Sequence, residues 1–173
     1  MQVKESAMEE TIIVKYGNTL HVAGKSYPCV VGKGGISDEK REGDGATPRG
    51  LYPLRQVLYR ADRTEAPITG LQVSVITKED GWCDDPASPS YNERVFLPFE
   101  GSHEKLWRDD HAYDMLVVIG YNDKPVVPGK GSAIFLHLMH EDQRPTEGCV
   151  AVSANHMREL LMQLTPGSQI HIE

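Results

Sequence analysis

The chain has 173 residues, 39% of them hydrophobic and 25% charged, which fits one globular domain long enough to bury a real core. Its net charge of −7, from 25 acidic against 18 basic residues, argues against nucleic acid as a main partner, because phosphate binding needs a basic face. No apolar run is long enough to span a membrane.

The start, Met1 to Glu10, is polar and acidic, with no basic stretch leading into an apolar segment, so no signal peptide is visible. Residues 1–10 read as a disordered or non-native leader, and residues 11–173 as the domain. Thr11 to Tyr16 is β-branched and predicts a strand. Gly17-Asn18 is a turn signal, and Thr19 to Ala23 then makes a hairpin partner. A third strand follows at Ser26 to Val31 and carries Cys29 as a core residue. Gly32 to Gly50 reads as a flexible, charged loop. Its Gly32-Lys33-Gly34-Gly35 lacks the spacing of either glycine-rich nucleotide motif, and Lys40 to Asp44 reads as solvated surface.

Gly50 to Tyr59 and Leu71 to Thr77 read as extended segments packing on the core. Gly81 to His103 reads as one long connection rich in Asp, Pro, Ser and Asn, of a length that is often functional. It would make Cys83 a loop thiol between carboxylates, a poor nucleophile. Ser102 to Arg108 reads as a short helix capped by Ser102. Met115 to Gly120 is continuously apolar and predicts a central strand, and Ala133 to Leu138 predicts the next. Val150 to Val152 continues extended. Ser153 then caps a helix from about Ala154 to Leu164, with Met157, Leu160, Leu161 and Leu164 on one apolar face. Gln169 to Ile172 closes as a strand. The fold class is mostly β, with one clear helix near the C-terminus.

Chemistry concentrates in Thr146-Glu147-Gly148-Cys149-Val150 and in His137 on the strand before it. A glycine before a cysteine lets the backbone turn sharply and approach a ligand. A cysteine attacks a carbonyl as its thiolate, and an imidazole can take the proton and return it to the leaving amine. Cys149 is therefore the candidate nucleophile and His137 the candidate base; the bland alternatives are a buried apolar cysteine and a satisfied core histidine. His140 is the rival base, but strand alternation puts it on the opposite side from His137. The amides of Gly148 and Cys149 are candidate oxyanion donors, with Thr146 fixing the turn through its hydroxyl. Glu147, His140 and Arg144 are candidate substrate contacts. Glu147 beside the thiol would disfavour a thiolate, or bind a substrate amine. An activated Cys149 would alkylate below the pH at which an ordinary thiol does. Trp82, Tyr91, Trp107, Tyr113 and Tyr121 are either groove-lining or core. His137, His140 and Glu141 do not form a zinc-binding helix pattern, and the three cysteines form no CxxC pair, so neither a metal nor another cofactor is expected.

The segment Ile134 to Val152, with His137 and Thr146-Glu147-Gly148-Cys149-Val150, resembles the active-site segment of the L,D-transpeptidase catalytic domain, the YkuD-type family. Gly43 to Leu54, containing Thr47-Pro48-Arg49-Gly50, and Asp84-Asp85-Pro86 with Tyr91-Asn92, resemble two further landmarks of that family in the same order. Leu138 and Ala151 depart from the glycine and arginine common in the family, and the spacing from His137 to Cys149 is shorter than usual. The resemblance implies a β-sandwich-like single domain with Cys149 near one end. It implies a cysteine acyltransferase that cleaves a peptidoglycan stem peptide after its third residue and passes the acyl group to an amine, giving a crosslink, or to water. An L,D-carboxypeptidase, a cysteine amidase on another peptide and a non-catalytic peptide-binding domain are the alternatives. The implied partner is a peptidoglycan stem peptide or a related small peptide. The implied location is the periplasm or cell envelope, with the cytoplasm left open by the absence of a visible signal.

Overall fold

In a computed structural model, which describes residues 10–173, the β-branched opening run forms β1 (Thr11–Lys15), followed by β2 (Thr19–Val22) and β3 (Lys25–Pro28). Two short strands, β4 (Ile36–Ser37) and β5 (Thr47–Pro48), precede the long β6 (Gly50–Tyr59) and then β7 (Val73–Val75). Next come β8 (Asp80–Cys83), β9 (Arg94–Phe96), β10 (His103–Lys105), β11 (Met115–Ile119), β12 (Phe135–Leu138) and β13 (Val150–Val152). Helix α1 (Ala154–Gln163) and β14 (Gln169–Ile172) complete the described chain. The expectation for residues 1–10 lies outside the described residues except at Glu10, whose carbonyl accepts from the Gln169 amide at 3.2 Å.

The main sheet runs β13-β12-β11-β6-β14-β1-β2-β3, with β7 paired beside β6. Its length lets β6 serve two neighbours: Gly50 to Pro53 pairs with β14, and Leu54 to Tyr59 pairs with β11. The sheet is nearly closed. Just past β3, Val30 and Ala151 of β13 exchange two backbone hydrogen bonds, at 3.0 and 2.9 Å. Such closure satisfies the backbone groups that an edge strand would leave open.

Alternation along the strands sorts side chains to two cores. Leu136, Leu138, Val150 and Val152 join Ile12, Val14, Val117 and Ile170 in the larger cluster. Phe135 and Cys149 join Leu58, Trp82, Leu116 and Tyr113 in the other. The α1 face of Met157, Leu160 and Leu161 is buried in the larger cluster, and the Ser153 hydroxyl accepts from the His156 amide at 3.3 Å, both as the sequence predicts.

Several expectations fail. The connection Gly81 to His103 is not one irregular loop, because β9 and β10 pair on either side of β8 as a small sheet. Cys83 is accordingly a fully buried strand residue. The expected helix at Ser102 to Arg108 contains β10 instead: pairing of His103, Glu104 and Lys105 with Cys83, Trp82 and Gly81 outweighs the local capping signal. Lys40 is not solvated surface. Its stem is buried, and its ammonium donates to Asp44 at 2.5 Å and to the Arg41 carbonyl at 3.0 Å.

Candidate active site

Gly148 puts the nucleophile candidate where it is. Its φ of +140° is a conformation that side chains rarely adopt, and a Cβ there would meet the Ala46 carbonyl at 2.9 Å. The turn around it is tied by one hydroxyl. Thr146 Oγ1 accepts from the Gly148 amide at 3.1 Å and donates to the Cys149 carbonyl at 2.6 Å. Thr47 Oγ1 accepts from the Gly32 amide at 2.8 Å and reaches the same carbonyl at 3.5 Å. The Gly148 amide is thus engaged within the turn. The Cys149 amide meets no acceptor among the described residues, which leaves it as the donor able to face a developing oxyanion.

The glycine-rich segment after β3 has a structural purpose here rather than a flexible one. Lys33 donates its amide to the Thr146 carbonyl at 2.8 Å, and the Thr146 amide donates to the Val31 carbonyl at 3.0 Å. A Cβ on Gly32 would lie 2.2 Å from the Gly45 carbonyl and 2.9 Å from Gly148 Cα. Only glycine lets these three backbones pack under the turn.

Cys149 is 7% exposed and His137 5%, and both line one cleft of about 470 Å³. The thiol donates to the Ala133 carbonyl at 3.2 Å, and Sγ accepts from the Phe135 amide at 3.4 Å. His137 Nδ1 lies 2.9 Å from the Leu138 carbonyl. A carbonyl can only accept, so Nδ1 carries the proton and Nε2 presents a lone pair. Burial holds the imidazole down to about 4 and pushes the thiol up to about 12, with the nearby Glu104 carboxylate adding to the rise. The resting pair is therefore neutral thiol and neutral imidazole. That reverses the expectation of a thiol that alkylates at unusually low pH.

The predicted contacts separate. His140 and Arg144 line the cleft, half-buried and exposed respectively, with Arg144 Nη2 3.3 Å from His140 Nδ1 and the guanidinium paired to Asp142 at 3.2 Å. Glu147 also lines the cleft, but its carboxylate is exposed and pairs with Lys33 at 2.7 Å. The carboxylate that bears on the thiol is Glu104. Glu104 accepts from the Tyr113 hydroxyl, burial disfavours its ionisation and raises its pKa, and Arg108 stands 3.8 Å away. The Tyr113 ring meets His137 edge-on, 5.3 Å between centroids. Of the aromatic candidates, Tyr113 lines the cleft; Trp82, Tyr91 and Tyr121 are buried elsewhere, and Trp107 is half-buried under the Arg60 guanidinium, 3.5 Å away.

Sequence reasoning missed Glu104, Arg108 and Asp84 as cleft residues, because it read their segment as a loop and a helix. No local signal marked them: Glu104 comes opposite Trp82 only through the pairing of β10 with the distant β8. No group of His, Cys, Asp and Glu suited to a metal ion occurs among the described residues.

No curated protein matches the chain. Among solved structures it is similar to L,D-transpeptidase 1 of Mycobacterium tuberculosis, with 11% identity over 94% of this chain and 58% of that one and a TM-score of 0.45. It is also similar to Bd1075 of Bdellovibrio bacteriovorus and to the helical cell shape determining protein Pgp2 of Campylobacter jejuni. Each of those shows 15% identity, over 95% of this chain and 47% of the other, with a TM-score of 0.47. The chain spans about half the length of these structures. The model of the L,D-transpeptidase catalytic domain, YkuD, matches residues 6–172, nearly the whole sequence, and the chain therefore belongs to that family.

Proposed function

We propose that this protein is a cysteine acyltransferase that cleaves a peptidoglycan stem peptide after its third residue. The observation that carries the reading is the shared cleft of Cys149 and His137, beside an unengaged Cys149 amide. Sγ attacks the carbonyl carbon of the amide as its proton passes to His137 Nε2. The carbonyl oxygen takes the negative charge toward the Cys149 amide. The C–N bond then breaks, and His137 gives the proton to the leaving D-amino acid. An amine or water attacks the thioester, the C–S bond breaks, and the thiol recovers its proton. Burial disfavours both the thiolate and the imidazolium, so forming the charged pair before attack is unfavourable. Proton transfer therefore accompanies attack, once bound substrate has displaced the thiol from the Ala133 carbonyl.

Thr146 and Gly148 hold the turn, and His140, Arg144 and Glu147 contact the peptide from the rim. Residues 11–173 form the catalytic unit, and it works in the cell envelope. The fate of the acyl group separates a crosslinking enzyme from a carboxypeptidase. Mass spectrometry of a disaccharide-tetrapeptide after incubation tests the reading. The expected result is loss of the terminal D-amino acid, with a crosslinked dimer or a tripeptide as product, absent with Cys149→Ala. Cleavage that survives Cys149→Ala would overturn it.

A further inference from the structure

Asn92 lies outside the cleft, in the second of the landmarks upstream of the nucleophile, and nothing in the proposed chemistry uses it. Its side chain is 6% exposed, and all of its polar positions are engaged. Oδ1 accepts from Trp82 Nε1 at 3.0 Å and from the Ala133 amide at 3.0 Å. Nδ2 donates to the carbonyls of Tyr121 at 3.0 Å and Asn122 at 2.9 Å. Asn92 itself has φ +59°, a left-handed conformation that asparagine tolerates well.

What Asn92 grips is informative. Ala133 also adopts a left-handed conformation, φ +53°, which alanine disfavours and which the surroundings must enforce. The Ala133 carbonyl is the acceptor of the Cys149 thiol, at 3.2 Å. The Asn92 amide oxygen thus fixes one end of a peptide unit's neighbourhood, and the nucleophile rests on the carbonyl of the same residue. Trp82, the second donor to Oδ1, packs edge-on against Phe135, 5.0 Å between centroids, whose amide is the other hydrogen-bond partner of Sγ. The Trp82–Asn92 pair thus touches both residues that contact the sulfur, Ala133 through its amide and Phe135 through its ring.

We propose that Asn92 is a positioning residue for the nucleophile: through Ala133 it sets the side-chain orientation of Cys149. The proposal rests on the reading of Cys149 as the nucleophile. Asn92→Gly removes the side chain while keeping the left-handed backbone accessible. Trp82→Phe weakens the same core but leaves the Asn92–Ala133 bond in place.

The test is the rate of iodoacetamide modification of each cysteine against pH, resolved by peptide mass spectrometry, alongside steady-state turnover. In Asn92→Gly, Cys149 should alkylate several-fold faster than in the wild type, with its profile moved to lower pH, because its proton has lost a fixed acceptor. The buried Cys29 and Cys83 should keep their wild-type rates. Turnover should fall by about 10–100-fold with KM little changed. Trp82→Phe should stay nearer the wild-type Cys149 profile than Asn92→Gly does. Parallel acceleration of all three cysteines would mean general loosening and would overturn the proposal, as would an unchanged Cys149 profile in folded Asn92→Gly. Alkylation needs no peptide, so it decides the placement of Cys149 even if the disaccharide-tetrapeptide proves not to be a substrate.

Discussion

The proton on His137 Nδ1, fixed by the Leu138 carbonyl, determines what the site can do. It leaves Nε2 as the atom that can receive a proton. Burial makes the imidazole a base that stays neutral through the physiological range. The same burial has a stability consequence whose sign is definite. The folded state prefers neutral imidazole, so this contribution is fully present above the ordinary value of 6.5 and is lost as pH falls through about 4. Its size is roughly 3 kcal/mol. Urea unfolding at pH 7 and pH 4 should show the wild type losing that much more stability than His137→Asn across the interval. Equal losses would mean that the imidazole is not held neutral by the fold. In the other direction, the raised Cys149 thiol favours the folded state below its ordinary value of 9, and that preference fades as pH climbs toward 12.

At the scale of elements, the turn that carries Cys149 depends on backbones packed too closely for side chains. Gly32 makes the sharpest demand, since its Cβ would sit 2.2 Å from a main-chain oxygen that has little room to give. Gly35, three residues on, has φ +75° but open space around it. Gly32→Ala should therefore cost about 3 kcal/mol or more, against about 1–2 kcal/mol for Gly35→Ala, where only the left-handed backbone disfavours a side chain. Denaturant midpoints measure both, and the reverse order would contradict the packing described.

The contrast between these elements explains what could be read in the sequence. Runs such as Met115–Ile119 and the periodic face of α1 announce themselves because burial there repeats at the period of the element. Cys149 and His137 were legible for a different reason: thiol, glycine and imidazole are scarce and chemically distinctive. The small sheet of β8, β9 and β10 was not. Its partners, such as Glu104 and Trp82, are brought together by pairing between segments rich in turn residues, and Glu104 carries no local pattern that marks it as a cleft residue. The glycine-rich segment at Gly32 was misread for the same reason, because its meaning lies in the distant Gly45 and Gly148. Thr47 was part of a recognised landmark, but its hold on the Cys149 carbonyl exists only in three dimensions.

For the molecule as a whole, the nearly closed sheet and the cleft are one construction. The seam between Val30 and Ala151 fixes β13, and Cys149 is the residue that enters β13. The small sheet covers the second core and brings Glu104 to the same cleft, so one wall comes from the main sheet and another from the cover. The cleft is lined by the carboxyl groups of Glu42, Asp84, Glu104 and Glu147 together with the guanidinium groups of Arg108 and Arg144. The proposed chemistry requires that Cys149 become acylated within this frame. Its most direct test is the intact mass of the protein, acid-quenched during turnover of the disaccharide-tetrapeptide, followed by peptide mapping. The expected result is a mass gain equal to the disaccharide-tripeptide acyl group, located on Cys149 and labile to a thiol or amine nucleophile. Turnover with no adduct on Cys149, or an adduct that persists in Cys149→Ala, would contradict it.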